Sequence, residues 1–377
     1  MEAATAGAML SLRGLPDEMV IWEILVRLSP KSLLRCRAVC RAWRRATSTQ
    51  DFLLAHHARQ PILPLLENGD ELDILDHRPT RATADQFQSI DICGQNFLNL
   101  GDDFAFFNLV ASCDGMLILR IDGTKFFVCN PTTRQYARLP LYLGHKWTLL
   151  GMYPHSPTGE YRVLLYLSSP DADHKPTPGS YVLALGSGQP PRHIGWPDAI
   201  NLELEPHVLF RGSLYWYPTC SENKTIYVFN TTSESVREMC SPVVTDCANL
   251  FEKDGMLGMA IVDYMKTVDI WLLQDFEREV WTFNCRIELP VQQIRMQCDR
   301  CDSRLPWKLV VVPGDDELLV LIKFGEWLFH VGNGGKLVAT FHRKNVDPTH
   351  FQLKQTLVSH TFFQTTWSYV VSVPPII

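Results

Sequence analysis

The feature that most constrains the fold is a repeat that begins near residue 90. In each copy, a turn containing glycine leads into a strand of apolar and aromatic residues, followed by a second turn and another strand. The clearest copies start at Gly115, Gly159, Gly212, Gly255 and Gly314, with spacings of 44, 53, 43 and 59 residues. A period of this length with about four short strands per unit is typical of a β-propeller.

Each repeat is predicted to supply one blade of a closed ring of five or six blades. A single small sheet cannot bury both faces alone, so neighbouring blades cover one another and closure removes exposed edges. The strand at 62–66 and the last segment, LVSHTFFQTTWSYVVSV at 357–373, are predicted to complete one blade between them. Deletion of residues 357–377 is therefore expected to unfold the ring. Helical patterns of ten or more residues are missing after residue 60, which argues against a βαβ enzyme fold.

The stretch 15–57 differs from the rest of the chain because its pattern is helical and basic. Ile24, Leu25 and Leu28 lie at i, i+1 and i+4, which places them on one side of a helix. Pro30 is expected to stop that helix, because its ring forbids the helical hydrogen bond. Ser32 is expected to cap the next helix.

A third short helix is predicted where Val39, Cys40 and Trp43 repeat the same spacing, and one more from Asp51 to Arg59. Three helices in about 40 residues form too small a unit to bury all of these apolar groups among themselves. Part of the apolar surface is therefore expected to face a partner.

The N-terminal pattern LP…EIL.RL.PKSLLR.R.VC..WR resembles an F-box, especially the plant form with a one-residue-longer lead-in, EMVIWEIL. One departure is Ser29-Pro30, where the commoner form has proline followed by a small residue. The resemblance implies docking onto a Skp1-like protein within a cullin–RING ubiquitin ligase. The residues that it places on the docking surface are Leu15, Pro16, Ile24, Leu25, Leu28, Pro30, Leu33, Val39, Cys40 and Trp43.

The C-terminal segments DGMLIL, VCNPTTRQYARLP, HSPTGEYRVLLY and FRGSLYW resemble the F-box-associated repeats of plant F-box proteins, which are similar to kelch-like blades. The predicted fold class is α+β multidomain. Residues 1–13 are expected to be a disordered lead, 14–59 a small three-helix F-box domain, and 60–377 an all-β, propeller-like domain that binds a substrate protein.

Charge and cysteine usage narrow the classes of function. The net charge is −6, although residues 1–60 hold nine Lys or Arg against five Asp or Glu. The basic run Arg35, Arg37, Arg41, Arg44 and Arg45 lacks interleaved aromatics, so a solvated face or an acidic protein partner is favoured over nucleic acid. Eleven cysteines without regular spacing argue against a secreted disulfide framework and favour a reducing compartment.

Motifs for catalysis, metal binding and membrane insertion give no positive signal in the sequence. Cys298 and Cys301 form a CxxC pair, but a structural zinc site usually needs a second pair. No GxSxG, HExxH or Walker pattern is present. The N-terminus lacks a basic n-region, and no apolar run reaches the roughly 18 residues that span a bilayer. We therefore expect no catalytic, cofactor or metal residues, no nucleic-acid or membrane partner, and residence in the nucleus, the cytoplasm or both.

The sequence predicts an adaptor whose F-box holds a Skp1-like protein and, through it, a cullin–RING ligase, while the propeller holds a target protein for ubiquitination. Two alternatives stay open: a Skp1-bound scaffold without substrate turnover, and a propeller enzyme with a site in the central channel. The longest candidate recognition loops are 141–147, 168–179, 217–224 and 297–307. The sequence does not choose among them.

Overall fold

The structure, a computed structural model, describes a short helical N-terminal region followed by a propeller of six blades. The described residues are 16–69, 71–77, 86–90, 107–141, 145–168, 177–195, 206–218, 225–245, 248–298, 307–315 and 317–364. The predicted combination of a helical N-terminal domain with an all-β propeller is confirmed, and the blade number is six rather than five.

The helical region runs from residue 17 to residue 59. Its first segment is α1 (Asp17–Met19), continued by a π-helical turn (Val20–Ile24) and a 3₁₀ turn (Leu25–Arg27). It is followed by α2 (Pro30–Val39), α3 (Arg41–Ala46) and α4 (Gln50–Arg59). A π turn accommodates one residue more than an α-helical turn. This π turn lies within the lead-in EMVIWEIL.

Two details of the predicted helices are corrected. Pro30 is the first residue of α2, a position whose backbone N–H would make no hydrogen bond within the helix. The N-terminal cap of α2 is Ser29 rather than Ser32, because the Ser29 side chain accepts a hydrogen bond from the Ser32 N–H. Val39 ends α2, whereas Cys40 is extended and caps α3 through its Sγ, 3.4 Å from the Trp43 nitrogen. Val39 and Trp43 therefore lie on different helices.

Five blades follow one another along the chain, each a four-stranded antiparallel meander. The chain first forms three strands of blade 1: β1 (Ile62–Asn68), β2 (Glu71–Leu75) and β3 (Phe87–Ile90). Blade 2 has β4 (Phe107–Cys113), β5 (Met116–Ile121), β6 (Lys125–Asn130) and β7 (Gln135–Arg138), and blade 3 has β8 (Trp147–His155), β9 (Glu160–Leu167), β10 (Gly179–Ala184) and β11 (Arg192–His193). Blade 4 has β12 (Val208–Phe210), β13 (Ser213–Trp216), β14 (Ile226–Asn230) and β15 (Ser235–Met239). Blade 5 has β16 (Ala248–Lys253), β17 (Met256–Asp263), β18 (Thr267–Asp275) and β19 (Val280–Glu288), and after α5 (Val291–Gln297) blade 6 has β20 (Lys308–Pro313), β21 (Leu318–Phe324), β22 (Trp327–Val331) and β23 (Leu337–His342).

Blade 1 joins the two ends of the ring, in the order β24-β1-β2-β3. Its inner strand β24 (Val346–Lys354) pairs antiparallel with β1, from Ile62 opposite Lys354 to Asn68 opposite Val346. The prediction that 62–66 begins a shared blade is confirmed, but the prediction that 357–373 supplies the other strand is wrong. Residues 355–364, here named the C-terminal strap, leave the sheet and end in a 3₁₀ turn, Thr361–Gln364. Residues 365–373 lie outside the described part of the chain.

The described core of the propeller has six apolar clusters that are each shared by two neighbouring blades around the whole ring, and a smaller one within blade 2. The cluster between blades 3 and 4, for example, combines Tyr153 and Leu164 with Trp216 and Phe229. The Trp216 indole donates to the Leu150 carbonyl at 2.9 Å, so its polar atom is satisfied inside this cluster. Each blade therefore buries both faces only because its neighbours are present, as expected for repeats of this kind.

The inner strands β4, β16, β20 and β24 run in the same direction around the axis. Hydrogen bonds between their C-terminal ends show this: Ser112 Oγ donates to the Gln352 carbonyl, Gln352 Nε2 to the Pro313 carbonyl at 2.6 Å, and Lys253 Nζ to the Gly314 carbonyl at 3.1 Å. We call the side of the ring with these ends the proximal face and the opposite side the distal face.

The helical region lies on the proximal face. Lys354 Nζ, at the end of β24, donates to the Ala58 carbonyl of α4 at 3.2 Å. The four candidate recognition loops, in contrast, are all bounded by strand ends on the distal face, since they join β7 to β8, β9 to β10, β13 to β14 and α5 to β20. The helical region and the described ends of these four loops are thus on opposite faces of the propeller, while most loop residues (142–144, 169–176, 219–224 and 299–306) lie outside the described part of the chain.

Candidate partner-binding site

The interior of the helical region is a small apolar cluster that includes a residue from the far end of the chain. Leu25, Leu33 and Phe52 are buried there together with Leu357 of the C-terminal strap. The helical unit is predicted to be too small to bury its apolar groups alone, and Leu357 of the same chain buries part of them. No local pattern in the sequence could identify Leu357, because it lies about 300 residues from its neighbours in this cluster.

Polar contacts fix the helices around this cluster. His56 Nε2 lies 2.8 Å from the Leu28 carbonyl, and Gln60 Nε2 donates to the same oxygen at 3.1 Å. Burial lowers the pKa of His56 below its ordinary value, and the bond to Leu28 opposes this only in part. Arg37 donates from Nε to Thr47 Oγ1 at 3.0 Å, which ties α2 to the end of α3. The apolar residues on the outside of these helices are therefore held in fixed positions.

The residues predicted to dock a Skp1-like protein divide by their exposure. Those exposed to solvent are Pro16, Ile24 and Val39. Those half-buried are Leu28, Cys40 and Trp43. Those buried inside this chain are Leu25, Pro30 and Leu33. Leu15 lies outside the described residues. The exposed and half-buried members are available for direct contact, whereas the buried members support them from behind.

Three exposed apolar residues were missed in the sequence: Met19 and Trp22 on the first helical segment and Leu54 on α4. The lead-in EMVIWEIL contained the signal for Met19 and Trp22, but the π turn changes which side chains face outward. Trp22 also contacts the core, with its ring centroid 5.6 Å from that of Phe52. The exposed apolar set is defined here as Met19, Trp22, Ile24, Val39 and Leu54.

Positive charge lies beside this set. Arg35, Arg41, Arg44 and Arg45 are exposed, whereas Arg37 turns inward to Thr47. Burial, followed by repulsion from Arg44, lowers the pKa of Arg37 below its ordinary value. The basic run therefore provides four outward-facing cations, a surface suited to an acidic protein.

The propeller contains buried cysteine and histidine side chains. Among the described residues, no group of three or more His, Cys, Asp or Glu side chains could hold a metal ion. Cys298 is buried at the C-terminal cap of α5, and Cys301 lies outside the described residues. Burial lowers the pKa of His207, just before β12, and of His350 in β24 to about 4. These two histidines are on opposite blades, 4 and 1. Burial also lowers the pKa of His330 in β22 to about 4, and its ring centroid lies 6.4 Å from that of His77. Within the described part of the chain, no helix is long and apolar enough to cross a membrane.

A helical domain with exposed apolar residues, attached to one face of a six-bladed propeller, defines a class of two-domain proteins. Comparison with known families identifies this class of protein. A model of the F-box associated beta propeller domain matches residues 83–321, and an F-box-like model matches residues 12–59. This chain belongs to the family of F-box proteins that carry an F-box-associated β-propeller domain.

Relatives with similar sequences come from Arabidopsis thaliana. Putative F-box protein At3g52320 is 24% identical over 74% of this chain and 74% of its own length, and F-box protein At1g30790 is 25% identical over 74% and 76%. F-box/kelch-repeat protein At3g23880 is 22% identical over 76% and 82%. Among solved structures, a chain of a nidogen/laminin complex aligns at 11% identity with a TM-score of 0.46, over 76% of this chain and 96% of that one.

Proposed function

We propose that this chain is the substrate-recognition subunit of an SCF (Skp1–cullin–F-box) ubiquitin ligase, whose F-box docks a Skp1-like protein. The observation that carries the proposal is the exposed apolar set on a domain matched by the F-box-like model. Burial of large apolar side chains contributes about 1.5–3 kcal/mol each. Trp22 and Trp43 are suited to act as anchors, because tryptophan is enriched among residues that dominate binding.

The arrangement of the two domains supports an adaptor role. The F-box lies on the proximal face, and the candidate recognition loops begin and end on the distal face. A target protein held at the distal face would be kept near the ubiquitin-transfer machinery that the F-box recruits. Proximity of this kind raises the effective concentration of the reacting groups without a catalytic residue in the adaptor. We therefore propose a non-catalytic subunit that acts in the nucleus, the cytoplasm or both.

The docking surface is tested with Val39→Asp, because Val39 is exposed and its replacement leaves the core intact. Val338→Asp, on the outer strand β23, is a matched control, since the two valines are 57% and 58% exposed. The wild type and Val338→Asp are expected to co-purify with a Skp1-like protein. Val39→Asp is expected to bind at least about tenfold more weakly, which corresponds to about 1.4 kcal/mol.

Circular dichroism and thermal melting should show both variants folded. Absence of binding by the wild type, or equal binding by Val39→Asp, would refute the docking proposal. Protein half-lives after depletion of this chain separate a ligase subunit from a scaffold. A ligase subunit predicts that at least one interacting protein becomes longer-lived, whereas a scaffold predicts unchanged half-lives.

A further inference from the structure

The C-terminal strap is anchored in both domains of the chain. Leu357 is buried in the apolar cluster of the F-box, and among the described members of that cluster it is the one residue outside the helices. Phe362 and Phe363 are buried in the cluster between blades 2 and 3. One short segment therefore contributes side chains to two separate cores.

Further contacts fix the strap between its two anchors. The Thr356 carbonyl accepts a buried hydrogen bond from Asn130 Nδ2 of blade 2 at 3.2 Å. The centroid of the His360 ring lies 5.0 Å from that of Tyr161 in blade 3. The Tyr161 hydroxyl in turn donates to Asp114 Oδ2 of blade 2 at 2.9 Å. The strap is therefore held against blades 2 and 3 on its way from one anchor to the other.

The strap begins at the point where the ring closes. It follows directly on β24, and it packs so closely on blade 2 that a Cβ at Gly115 would lie 2.6 Å from Thr356 Cγ2. A chain from position 357 to position 363 spans at most about 20 Å, so the two anchors cannot move far apart. The F-box is thus attached to both strands of the closing pair, through α4 to β1 and through the strap to β24.

The helices that contain the proposed docking surface share the core to which Leu357 contributes. Leu33 of α2 and Phe52 of α4 are buried in the same cluster as Leu357. The same two helices carry Val39 and Leu54 of the exposed apolar set. Withdrawal of Leu357 would leave a cavity beneath these helices, and cavities of this kind destabilise the structure around them. The positions of the docking residues therefore depend on the strap.

We infer that the C-terminal strap couples the F-box to the ring, so that packing of Phe363 between blades 2 and 3 controls how tightly the remote docking surface binds a Skp1-like protein. The inference rests on the proposed function for the identity of that partner. The binding-competent F-box is the one whose strap is docked, and the apparent affinity falls with the fraction of chains in that state. Coupling of this kind is reciprocal, so a bound Skp1-like protein also holds the strap in place.

The first test measures the affinity of variants of the full chain for a purified Skp1-like protein. Phe363→Ala removes a buried ring that lies between blades 2 and 3 and not in the F-box. Phe329→Ala is the matched control, because Phe329 is equally buried but lies in the cluster between blades 5 and 6. Phe363→Ala is expected to bind at least about fivefold more weakly than the wild type, and Phe329→Ala to bind within about twofold of it. Equal affinities of the two variants would overturn the inference.

Hydrogen exchange of the chain alone tests the coupling without a partner. Backbone amides of residues 17–59 are expected to exchange at least about fivefold faster in Phe363→Ala than in Phe329→Ala, because the helices open more often once the strap is loosened. Equal exchange in the two variants would overturn the inference. If either alanine variant does not melt cooperatively, Phe363→Leu and Phe329→Leu repeat both comparisons with smaller cavities. A wild type that binds no Skp1-like protein would count against the proposed function instead, and the exchange comparison would still decide whether the strap holds the F-box.

Discussion

A buried carboxylate that joins blades 3 and 4 offers a sharp test of how the ring is held together. Glu234, in the turn between β14 and β15, accepts from Arg162 Nη1 at 2.5 Å, from Arg192 Nη2, and from the Tyr153 hydroxyl at 3.1 Å. All three donors come from blade 3. The Glu234 side chain is only 9% exposed, so its charge is compensated almost entirely by these donors.

Glu234→Gln keeps the shape of this side chain and removes its charge. Breaking a buried ion pair by removing one partner costs about 3–5 kcal/mol, because the remaining charge is left uncompensated. Two observations reduce that figure here: Arg192 is mostly exposed, and Arg162 keeps a second carboxylate, Glu160, at 3.2 Å. After allowance for solvent screening, we expect a loss of about 2–3 kcal/mol.

The next blade supplies a matched control. Glu279 occupies the equivalent turn of blade 5 with a φ of +55°, against +52° for Glu234, and pairs with Arg237 of blade 4 at 2.6 Å. This pair is more exposed, so Glu279→Gln is expected to cost less than about 1 kcal/mol. Urea unfolding followed by tryptophan fluorescence should give a clearly lower midpoint for Glu234→Gln only. Equal shifts in the two variants, or no shift in Glu234→Gln, would refute the reasoning.

The same carboxylate predicts a pH dependence. Burial alone would raise the pKa of Glu234, but the hydrogen bonds from Arg162 and Arg192 outweigh it and hold the pKa below the ordinary value of 4.5. A carboxylate with a lowered pKa in the folded state stabilises the fold above its unfolded pKa, and this stabilisation is lost as the pH falls through the folded pKa. The difference between wild type and Glu234→Gln should therefore be constant near pH 7 and shrink below about pH 4.5. A difference that does not change down to pH 3 would contradict this account.

Two further substitutions probe the closure of the ring. Gly115→Ala would place a Cβ 2.3 Å from the Lys354 carbonyl oxygen at a φ of +81°, so it is expected to lower the free energy of unfolding by about 2–4 kcal/mol. Gly123 is also left-handed but faces open space, so Gly123→Ala is expected to lower it by only about 1 kcal/mol. Equal urea midpoints for the two alanine variants would show that contact with the closing strand is unimportant. Phe363→Ala removes a fully buried ring of the C-terminal strap and should cost about 3–5 kcal/mol, measured as a lower melting temperature, and a loss below about 1 kcal/mol would show that the strap is dispensable.

The blades could be predicted from the sequence because their turns have strict backbone requirements. Asp114-Gly115, Arg211-Gly212 and Asp254-Gly255 each place glycine at a left-handed position after an inner strand. These turns mark the period of the repeat, but not its phase. Each predicted copy began after the inner strand, so it combined three strands of one blade with the inner strand of the next. Phase is set by which strands pair, and that depends on contacts distant in sequence.

The closing strand could not be predicted for a related reason. Val346–Lys354 contains Pro348, so it is not a strong strand by composition, whereas its partner β1 is predicted from its apolar residues despite Pro64. The structure accommodates Pro64 at a register shift between Pro64 and Leu66. It accommodates Pro348 because β24 is an edge strand of its sheet. The more apolar segment 357–373 was the better candidate by composition. Its described part instead fills two clusters, with Leu357 in the F-box core and Phe363 between blades 2 and 3.

The proposed docking surface shows the same limit at the scale of single side chains. A motif identifies positions, but it does not separate the residues that build a domain from those that contact its partner. Ile24 and Leu25 are adjacent in the motif, yet one is exposed and the other buried, because the π turn and Leu357 decide which side of the first segment is covered. Substitution of Leu33 would therefore unfold the domain and abolish binding indirectly. Val39, exposed at the end of α2, is the position where loss of binding can be attributed to the docking surface itself.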